Sequence, residues 1–349
     1  LAAKNGKLKN MPSHRIDRIE AFNAVVEHLK QAASVTVFTH QRPDPDALGS
    51  QAAAAMILHR LGKKVTVSNF DPPPPQYGSM QNLPGIAVVN FAAAEADIES
   101  RDDFLLCVDT CTYQQMEPAR ALFTRHPDKV LALDHHINRD EIGKFLFTDS
   151  SAAACVELVA RLAENLSIPL DSALAEPLFA GLVADTGWFR FDSVTPATLA
   201  LASRLVAAGA KPSALYQRLM QNETPPKLAL TQRALAGLQW HDDNRFASMI
   251  LTYSDFLETG ATQSQTEYLI DLPMQVGTLE VAAILSETPD GKVRASLRSK
   301  TWVNVSAICN AFGGGGHVRA AGCRLDGPIA TAREKIVVAV TAALQAPSA

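Results

Sequence analysis

Apolar residues recur along this chain at two different periods, and each period predicts a different element. Over residues 15–32, Ile16, Ile19, Phe22, Val25, Val26 and Leu29 return every three to four positions, which predicts an amphipathic helix. Residues 35–39 (Val-Thr-Val-Phe-Thr) are short and rich in branched and aromatic side chains, which predicts a strand. The alanine-rich stretch 47–61 predicts a helix closed by Gly62, and 65–67 a second short strand. The prolines at 72–75 exclude helix and central strand and predict an extended surface loop. Phe104–Val108 and Val130–Leu133 are unbroken apolar runs, the pattern of parallel strands buried on both faces, with a helix predicted between them at 116–125. Further helices are predicted over 153–165, 173–184, 196–208 and 212–221. Strands alternating with helices predict an α/β domain with a mainly parallel sheet flanked by helices.

The polar stretch 222–228, with Pro225-Pro226, predicts a linker, so the first domain is expected over 15–221 and the second over 229–349. The second half predicts a helix at 227–239, strands at 246–252, 280–286, 292–299 and 320–325, and helices at 264–272, 304–311 and 329–345. This is a smaller α/β domain. Residues 1–14 are expected to be a disordered extension, because residues 1–10 are polar and basic with no apolar core; Met11 is a candidate natural start.

With 349 residues, 47% hydrophobic and 19% charged, the composition is that of an ordinary globular chain with room for two domains. The net charge of −4 lacks the strongly basic balance expected of a protein that lives on long duplex DNA. No apolar run is long enough to cross a membrane. The five cysteines are odd in number, scattered and without a CxxC pair, which indicates neither a disulfide framework nor a thiolate zinc site and fits a reducing, cytoplasmic location.

The candidate chemistry lies where the apolar runs end. The strand 35–39 runs into His40-Gln41-Arg42-Pro43-Asp44-Pro45-Asp46, the strand 104–108 ends in Asp109, and the strand 130–133 ends in Asp134-His135-His136. In parallel sheets ligands bind beyond the carboxyl ends of the strands. One polar strand end is ordinarily a cap, and Asp46 as a mere helix N-cap is the plainer alternative for the first motif. Three such ends, all carrying ligand-type residues, point instead to one shared site. Asp185 closes a fourth segment, the apolar helix containing Leu178–Val183. A carboxylate is unfavourable at a helix C-terminus unless a cation or an exposed turn relieves it. His40, Asp44, Asp46, Asp109, His135 and Asp185 together suit a pair of hard-to-borderline cations such as Mn²⁺ or Mg²⁺. Two such ions activate a water nucleophile and neutralise charge on a phosphoryl group, so phosphate-ester hydrolysis is the expected reaction.

The second domain offers a complementary feature. Gly313–Gly316 followed by His317 lets backbone N–H groups approach an anion, with a flexible linker as the alternative. The strand-like stretch Lys292–Lys300 carries Arg298, suited to forked phosphate contacts, with a charge-guarded edge strand as the alternative. Trp188, Phe189 and Trp302 are candidates for base stacking, though rim or core packing is the commoner role.

These stretches resemble a known family. His40 to Ser50 is similar to motif I of the DHH phosphoesterases, Asp109 to motif II, Asp134-His135-His136 to the motif that names the family, and Gly181 to Gly187 to motif IV. Gly313 to Gly322 resembles the signature of the DHHA1 domain. The motifs stand in the family's order and span nearly the whole chain from about residue 15. The resemblance implies an N-terminal DHH domain, a C-terminal DHHA1 domain, an active-site cleft between them and two Mn²⁺ ions, with Mg²⁺ or Co²⁺ as substitutes. It further implies that His40 and Asp44 bind one metal, that Asp46, His135 and Asp185 bind the other, and that Asp109 bridges. His136 is then expected beside the scissile phosphate or leaving oxygen, and Asp134 behind it, orienting the histidines. Arg298, Ser299, Gly315, Gly316 and His317 are expected to hold the substrate's other phosphate or its terminal nucleotide.

Size and domain plan resemble the branch that degrades RNA a few residues long (nanoRNase) and dephosphorylates 3′-phosphoadenosine 5′-phosphate (pAp). A short nucleotide substrate, no long duplex DNA, no membrane and a homodimer by analogy are the expected partners. Two alternatives stand beside it. One is a phosphodiesterase acting on cyclic di-AMP or on a linear dinucleotide. The other is a nucleotide-binding regulatory protein with little turnover.

Overall fold

Alternation along the central strands sorts side chains into two cores. Leu106, Val108, Leu131 and Leu133 enter one buried cluster, while Leu105, Cys107, Val130 and Ala132 enter another with Phe38, Phe91 and Phe123. Both faces are covered, which is why these strands read as unbroken apolar runs. The computed structural model describes residues 13–101, 103–266 and 268–345. The chain divides into two units, with the boundary between Asn222 and Glu223. In the first unit the elements are α1 (Ser13–Gln31), β1 (Ser34–Phe38), α2 (Pro45–Arg60), β2 (Lys64–Asn69), β3 (Ala87–Asn90), α3 (Phe91–Ser100), β4 (Phe104–Val108), α4 (Arg120–Arg125), β5 (Val130–Asp134), β6 (Phe145–Thr148), α5 (Cys155–Asn165), α6 (Ser172–Asp185), α7 (Pro196–Ala207) and α8 (Pro212–Met220).

The six strands are all parallel, in the order β3-β2-β1-β4-β5-β6. The sheet grows one way from β1 and the other way from β4, so the β1/β4 seam is where the strand order reverses. Open parallel sheets bind ligands beyond the strand ends at such a seam. Helices α2 and α6 pack closely: a Cβ on Gly49 would meet the Pro177 carbonyl oxygen at 2.4 Å.

Several expectations change here. α1 already includes residues 13 and 14, which were assigned to the extension; residues 1–12, Met11 among them, lie outside the described residues. Pro75 does not extend the proline loop but opens a 3₁₀ turn over Pro75–Gln81. β3, α3 and β6 have no counterpart among the predicted elements: both strands are four-residue sheet edges, and α3 buries only Phe91 and Ile98.

The second unit contains α9 (Pro225–Ala236), β7 (Gln239–His241), β8 (Phe246–Leu251), α10 (Tyr253–Thr259), β9 (Val281–Glu287), β10 (Val293–Ser299), α11 (Val305–Asn310), β11 (Gly315–His317), β12 (Ala320–Leu325) and α12 (Ile329–Gln345). Its mixed sheet runs β11-β12-β10-β9-β8-β7, with β8 and β9 parallel and the other pairs antiparallel. One face, through Val281, Ala283, Leu285, Val293, Ala295 and Leu297, packs on Ile336 and Val340 of α12. The other face is covered only in part. Ala247, Met249, Ala282 and Ile284 pack under Leu230, Phe256 and Leu269, and this cluster holds residues of β8 and β9 but none of β10 to β12.

Pro225 and Pro226, expected in a linker over 222–228, form the first turn of α9, which Thr224 caps. A helix's first N–H groups have no internal partner, so proline loses nothing there. Among the described residues the helix expected at 264–272 is absent. In its place stand short 3₁₀ turns at Gln263–Thr266 and Leu269–Asp271, interrupted by Tyr268 at φ 65°, with Pro273 opening a third. The left-handed residue and the proline both break α-helical hydrogen bonding. α10 and the edge strand β11 likewise have no predicted counterpart.

Candidate functional site

Asp44 is the N-cap of α2, its Oδ1 accepting from the N–H groups of Asp46 and Ala47 at 3.0 Å each. Asp46 is therefore not the cap but lies within the first turn, fully buried. Its carboxylate accepts from the N–H groups of Cys155 at 2.6 Å and Val156 at 3.1 Å, the first turn of α5, where the helix dipole favours negative charge. Gly181 on α6 faces the same carboxylate, and a Cβ there would lie 2.8 Å from Asp46 Oδ1 and 2.7 Å from Val156 Cγ1. The missing side chain lets α6 lie close enough to bring Asp185, its last residue, to the cluster.

Beyond β4, Asp109 turns into the left-handed region at φ 61° and is buried. Such a backbone costs on the order of 1 kcal/mol and is commoner for Asp than for most residues. Two imidazoles are fixed by their Nδ1 atoms, His40 against the Gln41 carbonyl at 2.8 Å and His135 against the Ala152 carbonyl at 3.3 Å. A ring whose Nδ1–H donates to a carbonyl presents the Nε2 lone pair, as a metal ligand requires. His135 Nε2 faces three carboxylates, Asp185 at 3.2 Å, Asp109 at 3.4 Å and Asp46 at 3.8 Å. His40 Nε2 lies 3.6 Å from Asp109. Donors about 2.0–2.2 Å from one cation are separated by spacings of this size. Donor atoms converge in three groups: His40, Asp44 and Asp109; Asp46, His135 and Asp185; and Asp109, His135 and His136.

The residues fit a cation on two further grounds. Asp109 Oδ1 and His135 Nε2 are buried without a hydrogen-bond partner, which is costly unless something else satisfies them. Burial and the charges of Asp109 and Asp185 push the Asp46 carboxyl well above its usual range. Burial alone would lower the imidazoles, but the close approach and charge of the carboxylates, Asp109 first, outweigh it and raise His40 to about 9 and His135 to about 11. In the absence of a cation, protons on the histidines must supply the positive charge that four aspartates demand. Asp134 is fully buried and accepts from His136 Nδ1 at 2.8 Å, which raises that imidazole and leaves its other nitrogen for a substrate.

In the second unit, Arg298, Gly315 and Gly316 line a cavity of about 360 Å³ together with Arg294, Ser296, Thr266 and Tyr268. Ser299 and His317 are not among its lining residues. Ser299 points to the opposite face of β10, buried, its hydroxyl donating to the Val303 carbonyl at 2.7 Å. His317 ends β11 and is exposed. Trp188, Phe189 and Trp302 are also absent from the lining: Trp188 packs edge-on against Tyr216 and Phe189 against Phe179. Arg294 and Ser296 were missed by sequence reasoning, although their period-two spacing with Arg298 places all three on one face. Tyr268 was missed because its segment read as helix.

Residues 34–182 match the model of the DHH family, N-terminal domain, and residues 247–346 that of the DHHA1 domain. A probable bifunctional oligoribonuclease and PAP phosphatase NrnA of Streptococcus mutans is 27% identical over 302 residues, 86% of this chain and 93% of that protein. The bifunctional oligoribonuclease and PAP phosphatase NrnA of Thermus thermophilus is 28% identical over 324 residues, 92% of this chain and 94% of that protein. Among solved structures, an exopolyphosphatase-related protein from Bacteroides fragilis shares the fold at a TM-score of 0.80 and 20% identity, covering 93% of this chain and 96% of that one. Among the described residues no helix is long and apolar enough to cross a membrane.

Proposed function

The chain belongs to the DHH/DHHA1 phosphoesterases, and from that premise we propose that it is a Mn²⁺-dependent hydrolase that cuts very short RNA to mononucleotides and pAp to AMP. A hydrolase acting on phosphoester bonds is what the family carries; the substrate and the metal are the further step. The activities for which these relatives are named support the substrate. The observation that carries the metal site is His135 Nε2, buried without a hydrogen-bond partner among three carboxylates.

In this scheme His40 and Asp44 would hold one ion and Asp46, His135 and Asp185 the other, with Asp109, close to both histidines, as a ligand available to either. The ions, when bound, supply activation of a water and neutralisation of charge on the phosphoryl oxygens. The chain's own residues do the rest. The Gln41 and Ala152 carbonyls fix the ligand imidazoles, and the α5 N–H groups hold Asp46 in place. Asp134 stabilises His136 as an imidazolium whose other nitrogen donates a proton to the leaving oxygen or a hydrogen bond to the scissile phosphate. Arg298 and the β11 glycines bind the non-scissile phosphate. The short substrate accords with the net charge of −4, since affinity for long strands rests on many phosphate contacts.

Product analysis with Mn²⁺ tests this against RNA of two, five and about twenty nucleotides, cyclic di-AMP and pAp. Mononucleotides released fastest from the shortest RNA are the expected result. Preference for the cyclic dinucleotide would move the enzyme to signal turnover, and tight binding without hydrolysis would make it a nucleotide-binding regulator.

A further inference from the structure

One short stretch of backbone supports the donor group formed by Asp46, His135 and Asp185. Residues 152–156 present the Ala152 carbonyl to His135 Nδ1 at 3.3 Å, and the N–H groups of Cys155 and Val156 to the Asp46 carboxylate at 2.6 and 3.1 Å. Asp185 ends α6, which packs against Val156 through Gly181. His40 and Asp44, of the other group, are held elsewhere, by the Gln41 carbonyl and by the N–H groups of Asp46 and Ala47. The stretch thus serves one donor group and not the other.

Glu157 follows it directly and reaches back over it. Its carboxylate accepts from the Thr198 hydroxyl at 2.7 Å and interacts with the Ala153 N–H. Thr198 is itself fixed by a capping box with Thr195 at the start of α7. Burial pushes the Glu157 carboxyl above its usual range, and these two donors act against that rise. A glutamate in the first turn of a helix ordinarily does no more than cap that turn. Here the N–H it reaches belongs to the peptide unit whose carbonyl faces His135. Negative charge at the N–H end of a peptide makes its carbonyl oxygen a stronger acceptor, because hydrogen bonds in a chain polarise one another. A stronger acceptor at Nδ1–H makes Nε2 a better metal ligand.

We infer that Glu157 is a positioning residue for His135, acting through the Ala152–Ala153 peptide to strengthen the ion held by Asp46, His135 and Asp185 and not the one held by His40 and Asp44. The inference rests on the proposed two-ion site and adds a residue outside the ligand set that sets the affinity of one half of it.

The test is a Mn²⁺ titration of the full chain after metal removal, with free Mn²⁺ followed by electron paramagnetic resonance, for wild type and Glu157→Gln. Thermal melts of the same metal-free samples run beside it. Glutamine keeps the shape and caps a first turn as glutamate does, so the metal-free melt should be unchanged. One of the two ions is expected to bind about ten-fold more weakly in Glu157→Gln, the usual scale for a lost outer partner of a ligand histidine, and the other to bind as in wild type. The loss should persist in a His40→Ala background, where the affected ion is the one left, and vanish in an Asp185→Ala background, where it is already disabled. Unchanged Mn²⁺ binding in Glu157→Gln, equal weakening of both ions, or a loss that persists in Asp185→Ala and vanishes in His40→Ala would each overturn the assignment and leave Glu157 an ordinary helix cap. A wild type that binds no Mn²⁺ would overturn it together with the proposed site. If the selective loss is present while RNA and pAp are not hydrolysed, the proposed activity fails and the positioning role stands.

Discussion

Asp46 and Glu280 are both buried carboxylates, one in each unit, and burial treats them in opposite ways. Asp46 accepts two backbone N–H groups but faces the charges of Asp109 and Asp185, and its carboxyl is pushed well up. Glu280 accepts from the N–H groups of Thr301, Trp302 and Val303 and from the Thr301 hydroxyl, with no carboxylate among the interactions that shift it, and its carboxyl is held below its usual range. Desolvation raises both; the neighbours decide the sign. A carboxylate satisfied by donors is a structural part. One that also lies among other carboxylates is suited to hold a cation. The same contrast separates the two candidate sites, a buried cluster of like charge in the first unit and an open face of arginines and glycines in the second.

The sharpest break of this comparison is Asp109→Ala. Asp109 contacts both His40 and His135, so its loss unlinks the two donor groups. Turnover of a dinucleotide in Mn²⁺ is expected to fall by on the order of 10³ or more. Near-normal activity would sink the ligand assignment, because no other carboxylate among the described residues contacts both imidazoles.

Two glycines compare how the sites are built. Alanine at Gly181 would put Cβ 2.8 Å from Asp46 Oδ1 and 3.0 Å from Asp46 Cα, neither of which has room to yield. Gly181→Ala is expected to destabilise the first unit by about 1–3 kcal/mol and to lower Mn²⁺ affinity. Alanine at Gly315 meets nothing nearer than Asn310 Oδ1 at 3.5 Å, so folding should be unchanged and only substrate binding affected. Thermal melts with metal titrations check both; a melt of Gly181→Ala that matches wild type would remove the helix-packing account of how Asp185 reaches the cluster.

Arg298→Ala probes the open face. Arg298 is about half exposed, with Asp271 3.9 Å away, so its ion pair contributes little to stability and its removal should leave the melt unchanged. KM for a dinucleotide is expected to rise about ten-fold with kcat nearly constant, the signature of lost uniform binding. An unchanged KM would count against a phosphate role.

How far each site was legible in the sequence follows from the same contrast. His40, Asp109 and Asp134–His136 announced themselves because charge at the end of a buried strand is costly, and three strand ends had to meet once the sheet was parallel. Pairing of β1 with β4 and of β4 with β5 then set them side by side. What local pattern could not carry was the support: the α5 N–H groups that hold Asp46 lie more than a hundred residues away. The second site was legible only as composition. Its cavity is defined by where a cover ends, a property of packing, and the same packing holds Tyr268 in a left-handed turn within a stretch whose pattern read as helix. Ser299, expected beside Arg298 against the substrate's phosphate or terminal nucleotide, is its neighbour on β10 and by alternation points to the other face.

Glu280→Gln brings the opening comparison to a pH-dependent test. The folded pKa of Glu280 lies below its unfolded value, so the ionised carboxylate stabilises the folded state. That contribution is complete above the unfolded value of about 4.3 and is lost as pH falls through the folded value. Glutamine keeps the shape and one acceptor oxygen but not the charge. At neutral pH the variant is expected to destabilise the second unit by about 1–2 kcal/mol, as charged hydrogen bonds are replaced by neutral ones. Urea unfolding followed from pH 7 down toward pH 3 should show that penalty shrinking once the pH drops below the unfolded value, because wild-type Glu280 is then losing the same charge. A penalty that stays constant across the range would mean that Glu280 acts through shape alone, and the opposition between a donor-satisfied carboxylate and a cation-seeking one would lose its second half.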